Sequence, residues 1–92
     1  ISYFFKKNQT TYAITFKNKT YVIDHTLDEI QNELPSINFY RANRQSIVQR
    51  NAIENVDFYF NGRLIVNVIP KSDDKIIVSK AKASEFKKWL AL

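Results

Sequence analysis

The hydrophobic and polar positions of this chain repeat mainly every second residue, which is the period of a β-strand. Alternation and short apolar runs predict strands at residues 11–17, 21–23, 46–48, 52–60, 64–68 and 76–78. Asn18 is the predicted turn between the first two of these strands. The close spacing of the strands and the turn residues between them indicate antiparallel hairpins.

The fourth predicted strand is the longest and ends in three aromatic residues. Its alternation places Phe58 and Phe60 in the core and leaves only Tyr59 outside. Asn61-Gly62 follows and predicts a two-residue hairpin loop, because both residue types accept a positive φ. Gly62 is the only glycine in the chain, which fits this special role.

A helical period replaces the alternation after the first hairpin. Thr26 and Glu29 match a capping box, in which each side chain accepts a hydrogen bond from the other residue's backbone N–H. Pro35 ends the helix, so a short capped helix is predicted over about residues 26–34. Its apolar face consists of Leu27, Ile30 and Leu34.

A second helix is predicted at the C-terminal end. Ser79 can cap it, and it spans about residues 80–90. Its apolar stripe consists of Phe86, Trp89 and Leu90. The predicted fold class is therefore mainly β: antiparallel sheets with one short capped helix and a C-terminal helix, in a single domain over residues 1–92.

Composition excludes several classes of function. The chain has 92 residues, no cysteine and one histidine, His25, so it has neither a disulfide framework nor a multi-histidine metal site. One glycine cannot build a phosphate-cradling loop. The carboxylates of residues 24–33 suit the start of a helix, through its dipole, better than a metal or acid–base site. We therefore expect no catalysis, no metal and no cofactor.

Charge is arranged in blocks along the chain, whose net charge is +5 and isoelectric point about 9.6. Residues 1–23 carry four lysines and no acid, residues 24–36 four acids and no base, and residues 37–50 three arginines. Residues 51–74 are weakly acidic and residues 75–92 are basic again. Folding that gathers the basic blocks on one face makes nucleic acid the first partner to consider.

The basic turn at residues 39–48 is the most informative segment. Asn43 and Arg44 are candidates for base contact, since Asn suits adenine and Arg suits guanine in a DNA major groove. The alternative for both is an ordinary solvated turn before a strand. Arg41 can reach phosphate or instead pair within the fold, with its stem covering apolar surface.

A second candidate site lies where the last strand becomes the last helix. Ser79, Lys80 and Lys82 combine a hydroxyl, free helix N–H groups and two ammonium groups, which suits a phosphate. The alternative is an ordinary serine cap with solvated lysines. The polar stretch at residues 6–11 offers donors and acceptors, but its alternative is a plain surface hairpin loop.

Taken together, four motifs resemble the LytTR family, the DNA-binding domains of many bacterial response regulators. They are Phe-Tyr-Arg-Ala-Asn-Arg-Gln-Ser-Ile-Val at 39–48, Ala-Ile at 52–53, Tyr-Phe-Asn-Gly-Arg-Leu at 59–64, and the ending from 78 to 90. The start of the first helix at residues 24–29 fits as well. The variant of the basic turn looks most like members from Bacteroidetes.

The resemblance implies an elongated fold of antiparallel sheets that places three loops into successive major grooves. These loops fall here at residues 7–11, with Lys7, Gln9 and Thr11, at Asn43-Arg44, and at Ser79-Lys80. Family members often have His at the place of Asn43 and Arg at the place of Lys80, so base preferences do not carry over. Family domains also begin a strand or two earlier, so we expect an N-terminally truncated domain.

The leading hypothesis is sequence-specific binding of double-stranded promoter DNA by a cytoplasmic bacterial transcriptional regulator. It implies no small-molecule substrate and no membrane partner, a receiver domain upstream in the full-length protein, and a dimer on repeated DNA sites. The alternative is a protein-interaction or dimerisation module for an acidic partner, in which an exposed sheet edge pairs with a second copy.

Overall fold

The computed structural model describes residues 1–92 as two antiparallel sheets and two α-helices. The strands are β1 Tyr3–Lys7, β2 Thr10–Ile14, β3 Thr20–Ile23, β4 Phe39–Asn43, β5 Ser46–Gln49, β6 Ile53–Phe58, β7 Leu64–Val68 and β8 Ile76–Val78. The helices are α1 Leu27–Glu33 and α2 Lys80–Leu90, with short 3-10 turns at Arg50–Ala52 and Phe60–Gly62. The predicted fold class, mainly β with two helices, is confirmed.

The strands form a large and a small sheet. The large sheet has the order β3-β2-β1-β5-β4, and the small sheet has the order β6-β7-β8. All pairings are antiparallel, as the hairpin pattern predicted. The molecule measures 33 × 25 × 23 Å along its principal axes. Neither helix has the length and apolar character needed to span a membrane.

Both predicted helices form, because their signals are local. The capping box of α1 is complete: the Glu29 N–H donates to Thr26 Oγ1 at 3.1 Å and the Thr26 N–H to Glu29 Oε1 at 2.9 Å. Leu27 and Ile30 are buried beneath it. The second helix begins directly after Ser79 and buries Phe86 and Trp89, and Ala83 joins the predicted stripe.

Alternation did not predict two of the eight strands, β1 and β4. The first lies between β2 and β5, and its adjacent residues Tyr3 and Phe4, which point to opposite faces, are both buried. A strand covered on both faces reads as a continuous apolar run rather than an alternating one. The other, β4, contains Arg41 and a shift in pairing between Arg41 and Asn43, which interrupts its pattern.

The prediction for the aromatic end of the fourth predicted strand is wrong. Phe58 is 84% exposed and Phe60 70% exposed, whereas Tyr59 is half-buried. The edge strand β6 already ends at Phe58, and the Tyr59 N–H donates to Arg63 O at 2.9 Å to close a longer loop. Asn61 and Gly62 do adopt positive φ values of 60° and 75°. The loop therefore holds three residues between Tyr59 and Arg63, not two.

Two hydrophobic cores lie on the two faces of the large sheet. The larger core joins both sheets to α2 and includes Val48, Val78 and Phe86. The smaller core joins the large sheet to α1 and includes Phe4 and Leu27. The central strands of the large sheet therefore contribute buried side chains to both cores.

Candidate nucleic-acid interface

Three predicted contact segments lie at neighbouring ends of strands. We call residues 7–11 loop 1, residues 43–46 loop 2 and residues 79–82 loop 3. The antiparallel pairing of β1 with β5 places Phe5 opposite Ser46, so loops 1 and 2 share one end of the large sheet. The Lys6 N–H donates to Gln45 O at 2.8 Å and continues the ladder into loop 2.

Loop 1 is a tight hairpin turn between Lys7 and Thr10, which are paired residues. Asn8 and Gln9 occupy its tip with positive φ values of 49° and 67°, as a two-residue type I′ turn requires. The side chains of Lys7 and Gln9 are exposed. Thr11 is only 6% exposed, within β2, so its hydroxyl is not presented to a ligand as the sequence predicted.

Loop 2 presents Arg44 and holds Asn43. The Arg44 side chain is exposed at the turn between β4 and β5. The Asn43 side chain is engaged inside the protein: its Oδ1 accepts from the Gln45 N–H at 2.8 Å and from Ser46 Oγ at 2.9 Å. Its Nδ2 donates to Ile77 O at 2.9 Å. Asn43 is therefore not a free amide for adenine.

Arg41 is also committed to internal partners. Its Nε donates to Asn43 O at 2.7 Å and its Nη2 to Arg44 O at 2.9 Å. Its Nη1 pairs with Asp28 Oδ1 at 2.7 Å and also reaches Gln31 Oε1 at 3.0 Å. The guanidinium thus joins α1 to loop 2. Of the two roles considered for Arg41, the structure contains the one within the fold.

Loop 3 begins α2. Ser79 caps the helix by accepting from the Lys82 N–H at 3.3 Å, and Lys80 and Lys82 are both exposed. The stem of Lys80 crosses Gly62: a Cβ placed there would lie 3.0 Å from Lys80 Cγ and 3.1 Å from Cδ. The absence of a side chain at Gly62 therefore leaves room for the Lys80 stem. The two residues are far apart in the chain, so local sequence patterns do not predict this contact.

The helix α2 is anchored to the large sheet through Tyr40. Its ring packs against Phe86 and Trp89, and its hydroxyl donates to Glu85 Oε1 at 2.9 Å. Burial of the ring, reinforced by the Glu85 carboxylate, raises the pKa of Tyr40 to about 12. This contact connects the helix that starts with loop 3 to the strand that ends with loop 2.

The charges of the three loops differ in whether they are neutralised. The protein has two ion pairs, His25 with Glu29 and Arg41 with Asp28. The exposed Lys7, Arg44, Lys80 and Lys82 take part in neither. The three loops thus offer four cationic side chains to an anionic ligand, whereas the half-buried Arg41 already has an acidic partner.

The start of α1 borders loops 1 and 2. A surface cleft there is lined by the basic residues Lys6 and Arg44 as well as by the acidic residues Asp28 and Glu29. The Thr26 backbone N–H, which hydrogen-bonds the Glu29 carboxylate, lowers the pKa of Glu29 below its usual value. The cleft therefore carries charges of both signs. No group of three or more potential metal-ligating side chains is present.

Comparisons with known proteins agree on one family. The family model of the LytTr DNA-binding domain matches residues 1–91. A sensory transduction protein LytT from Bacillus cereus is 35% identical over 74 residues, which cover 80% of this chain and 29% of that protein. A transcriptional regulatory protein YpdB from Escherichia coli is 24% identical over 90 residues, covering 98% of this chain and 36% of that protein. The chain thus spans about a third of these curated relatives.

A solved structure gives the same result for the fold. A LytTr DNA-binding domain of a response regulator from Bacillus cereus superposes with a TM-score of 0.84 at 25% sequence identity. The alignment covers all of this chain and 82% of the solved one. The resemblance that the sequence motifs indicated is therefore confirmed.

Proposed function

This chain belongs to the LytTR family of DNA-binding domains, and from that premise we propose that it reads double-stranded promoter DNA through loops 1, 2 and 3. Each loop follows or precedes a strand, so the binding surface consists of turns rather than a recognition helix. If the three turns lie one after another along the duplex, they can enter successive major grooves.

The observation that carries this proposal is the free charge at the three loops. Lys7, Arg44, Lys80 and Lys82 are exposed and unpaired, and each belongs to a loop that the sequence motifs had selected. The backbone N–H of Lys6, the residue before loop 1, donates to Gln45 O in loop 2, and the Asn43 side chain bonds loop 2 to β8. A set of cations on hydrogen-bonded turns is suited to phosphate positioning and base readout.

We assign the side chains different roles. Arg44, with its planar fork, is the candidate for a guanine edge, and Gln9 at the tip of loop 1 is the candidate for a second base. Lys7, Lys80 and Lys82 are candidates for phosphate contacts, since an ammonium acts as a point charge. Ser79 acts through its cap on α2.

The function of the whole protein extends this proposal. Its relatives are named as sensory transduction and transcriptional regulatory proteins, of which this chain spans about a third. We propose that the full-length protein carries a receiver domain upstream, binds repeated promoter sites as a dimer and works in the cytoplasm. The domain itself would need neither a cofactor nor a small-molecule substrate, and it would perform no catalysis.

Fluorescence anisotropy on duplex DNA tests the proposal. About 3–6 phosphate contacts predict a log–log slope of affinity against salt of about −3 to −5. Lys80→Ala should reduce affinity and slope, whereas Lys88→Ala, a matched change near the other end of α2, should change them little. Affinity that is independent of salt from low to physiological ionic strength would overturn the proposal.

One observation favours a second candidate function, self-association. Phe58 and Phe60 are 84% and 70% exposed beside the free edge of β6. An uncovered edge strand with apolar side chains can pair with a second copy. Sedimentation equilibrium of the wild type against a Phe58→Ser, Phe60→Ser double variant tests this, and a monomeric wild type at all concentrations would rule it out.

A further inference from the structure

The amide of Asn43 connects the two sheets at the end where loops 2 and 3 lie. Its Nδ2 belongs to the last residue of β4, and the carbonyl that it meets at 2.9 Å belongs to Ile77 in the middle of β8. β4 is an edge of the large sheet and β8 an edge of the small sheet, and no backbone ladder joins them. This side-chain bond bridges that gap.

Each end of the bridge lies close in the chain to one of the two proposed contact residues. Arg44 follows Asn43 directly, and Lys80 follows Ile77 by three residues. The other end of the amide is equally occupied, because Oδ1 accepts from the Gln45 N–H and from Ser46 Oγ within loop 2. One side chain thus shapes loop 2 and ties it to the strand that leads into loop 3.

We propose that Asn43 is a positioning residue that sets the placement of Arg44 relative to Lys80 and reads no base itself. The inference rests on the proposed DNA-binding function and deepens it. Bidentate recognition of adenine needs Oδ1 and Nδ2 together. Both atoms of Asn43 already have partners, and turning the amide outward would leave the Ile77 carbonyl and the Gln45 N–H without theirs.

Two variants separate the bonds of this amide. Asn43→Ser keeps a short oxygen that can accept from the Gln45 N–H but does not reach the Ile77 carbonyl. Asn43→Asp keeps both acceptor bonds within loop 2, replaces the donor to Ile77 with a carboxylate oxygen and adds a negative charge. The matched control is Ser46→Ala, which removes one bond to Oδ1 and leaves the bond to Ile77 in place.

The decisive readout is a profile of discrimination along the DNA site. Wild type and variants are titrated against the duplex that wild type selects from a random library, and against duplexes with each base pair changed in turn. Base pairs that depend on Arg44 are identified with Arg44→Ala. Asn43→Ser should reduce discrimination at those same base pairs, from about tenfold to a few-fold, with affinity for random duplex unchanged within about twofold.

Three results would overturn the inference. The first is a base pair at which discrimination is lost in both Asn43 variants but kept in Arg44→Ala and Lys80→Ala, since this would make Asn43 a base reader. The second is an unchanged profile in Asn43→Ser. The third is a profile change in Ser46→Ala as large as in Asn43→Ser, since this would assign the effect to the shape of loop 2 alone.

Nuclear magnetic resonance of the free protein separates this inference from the proposed function. The carbonyl ¹³C signal of Ile77 should shift in Asn43→Ser and in Asn43→Asp, and it should stay in place in Ser46→Ala. If the Ile77 signal does not shift in these variants, the hydrogen bond from Asn43 to Ile77 is absent and the inference fails, whatever the DNA result. A wild type that binds no duplex in a salt-dependent way refutes the proposed function, even if the Ile77 signal moves as expected.

Discussion

Arg41 Nη1 lies 2.7 Å from Asp28 Oδ1, and this ion pair joins an acidic helix to the loop that presents Arg44. The two partners differ in environment: the side chain of Arg41 is 16% exposed and that of Asp28 is 85% exposed. Water screens the exposed partner, so the pair itself stabilises the fold only slightly. The larger part of Arg41's contribution comes from its bonds to backbone carbonyls of loop 2.

This difference predicts unequal losses of stability. Arg41→Ala should lower the free energy of unfolding by about 2–3 kcal/mol, because it removes several charge-assisted hydrogen bonds. Asp28→Asn should cost less than about 1 kcal/mol, because it removes only the screened ion pair. Urea unfolding followed by the fluorescence of the single tryptophan, Trp89, measures both. Equal losses would show that the ion pair, not the carbonyl bonds, fixes loop 2.

Arg44 and Lys80 should differ in what their removal does to DNA binding. Arg44→Ala should relax preference at one base pair by about 1–3 kcal/mol, as expected for loss of a guanine contact. Lys80→Ala should weaken binding to all duplexes by the same factor and reduce the slope of affinity against salt by about 1. Anisotropy with selected and random duplexes distinguishes the two, and Arg44→Lys tests the need for the fork at constant charge. Equal losses on both duplexes for Arg44→Ala would assign Arg44 to the DNA backbone.

Gly62 should affect DNA binding only through Lys80. Gly62→Ala places a Cβ against the Lys80 stem and strains a residue whose φ is 75°. The strain should cost about 1–2 kcal/mol of stability, and the displaced ammonium should weaken DNA binding several-fold. In a Lys80→Ala background the same substitution should leave affinity nearly unchanged. A double-mutant cycle measures this coupling, and additive effects on affinity would contradict it.

The capping box should make stability depend on pH in the acid range. The Thr26 N–H lowers the pKa of Glu29, so the folded state favours the carboxylate. The stabilisation is therefore present above the ordinary pKa of about 4.5 and is lost as the pH falls through the lowered value. Glu29→Gln retains a capping amide without the charge.

Thermal unfolding between pH 3 and pH 7 checks this prediction. Wild type should be more stable than Glu29→Gln at neutral pH, and the difference in melting temperature should shrink towards the acid end. Glu33→Gln removes a carboxylate from the same helix without touching the capping box, and serves as the control. A difference between wild type and Glu29→Gln that stays constant across the range would contradict the assignment.

The sequence predicted the parts of this fold that depend on neighbours in the chain. The helix opened by Thr26 and the helix opened by Ser79 both form as expected, because a cap and an apolar stripe are local. The positive φ of Asn61 was predicted for the same reason. Alternation does not predict strand β1, because burial of both its faces removes the alternating pattern.

The internal roles within the candidate site could not be predicted from local patterns. The partner of the Asn43 amide, Ile77, is 34 residues away, and the partners of Arg41 on α1 are 10 and 13 residues away. Residue types alone made both side chains candidates for DNA contact and left their internal partners open. The exposure of Phe58 likewise depends on where β6 ends at the sheet edge, which alternation does not encode.

The turn at Asn8-Gln9 has a consequence for how the domain evolves and how it can be engineered. A glycine would fit the second position of this turn better, yet Gln9 holds it with a φ of 67°, a conformation unfavourable for a residue with a Cβ. Conformational energy is thereby spent where a side chain is proposed to meet a base, which is typical of sites under functional selection. Selection for thermal stability alone should favour glycine at position 9, and the proposed base contact would then be lost. Stabilising substitutions in this domain should therefore be placed at other positions.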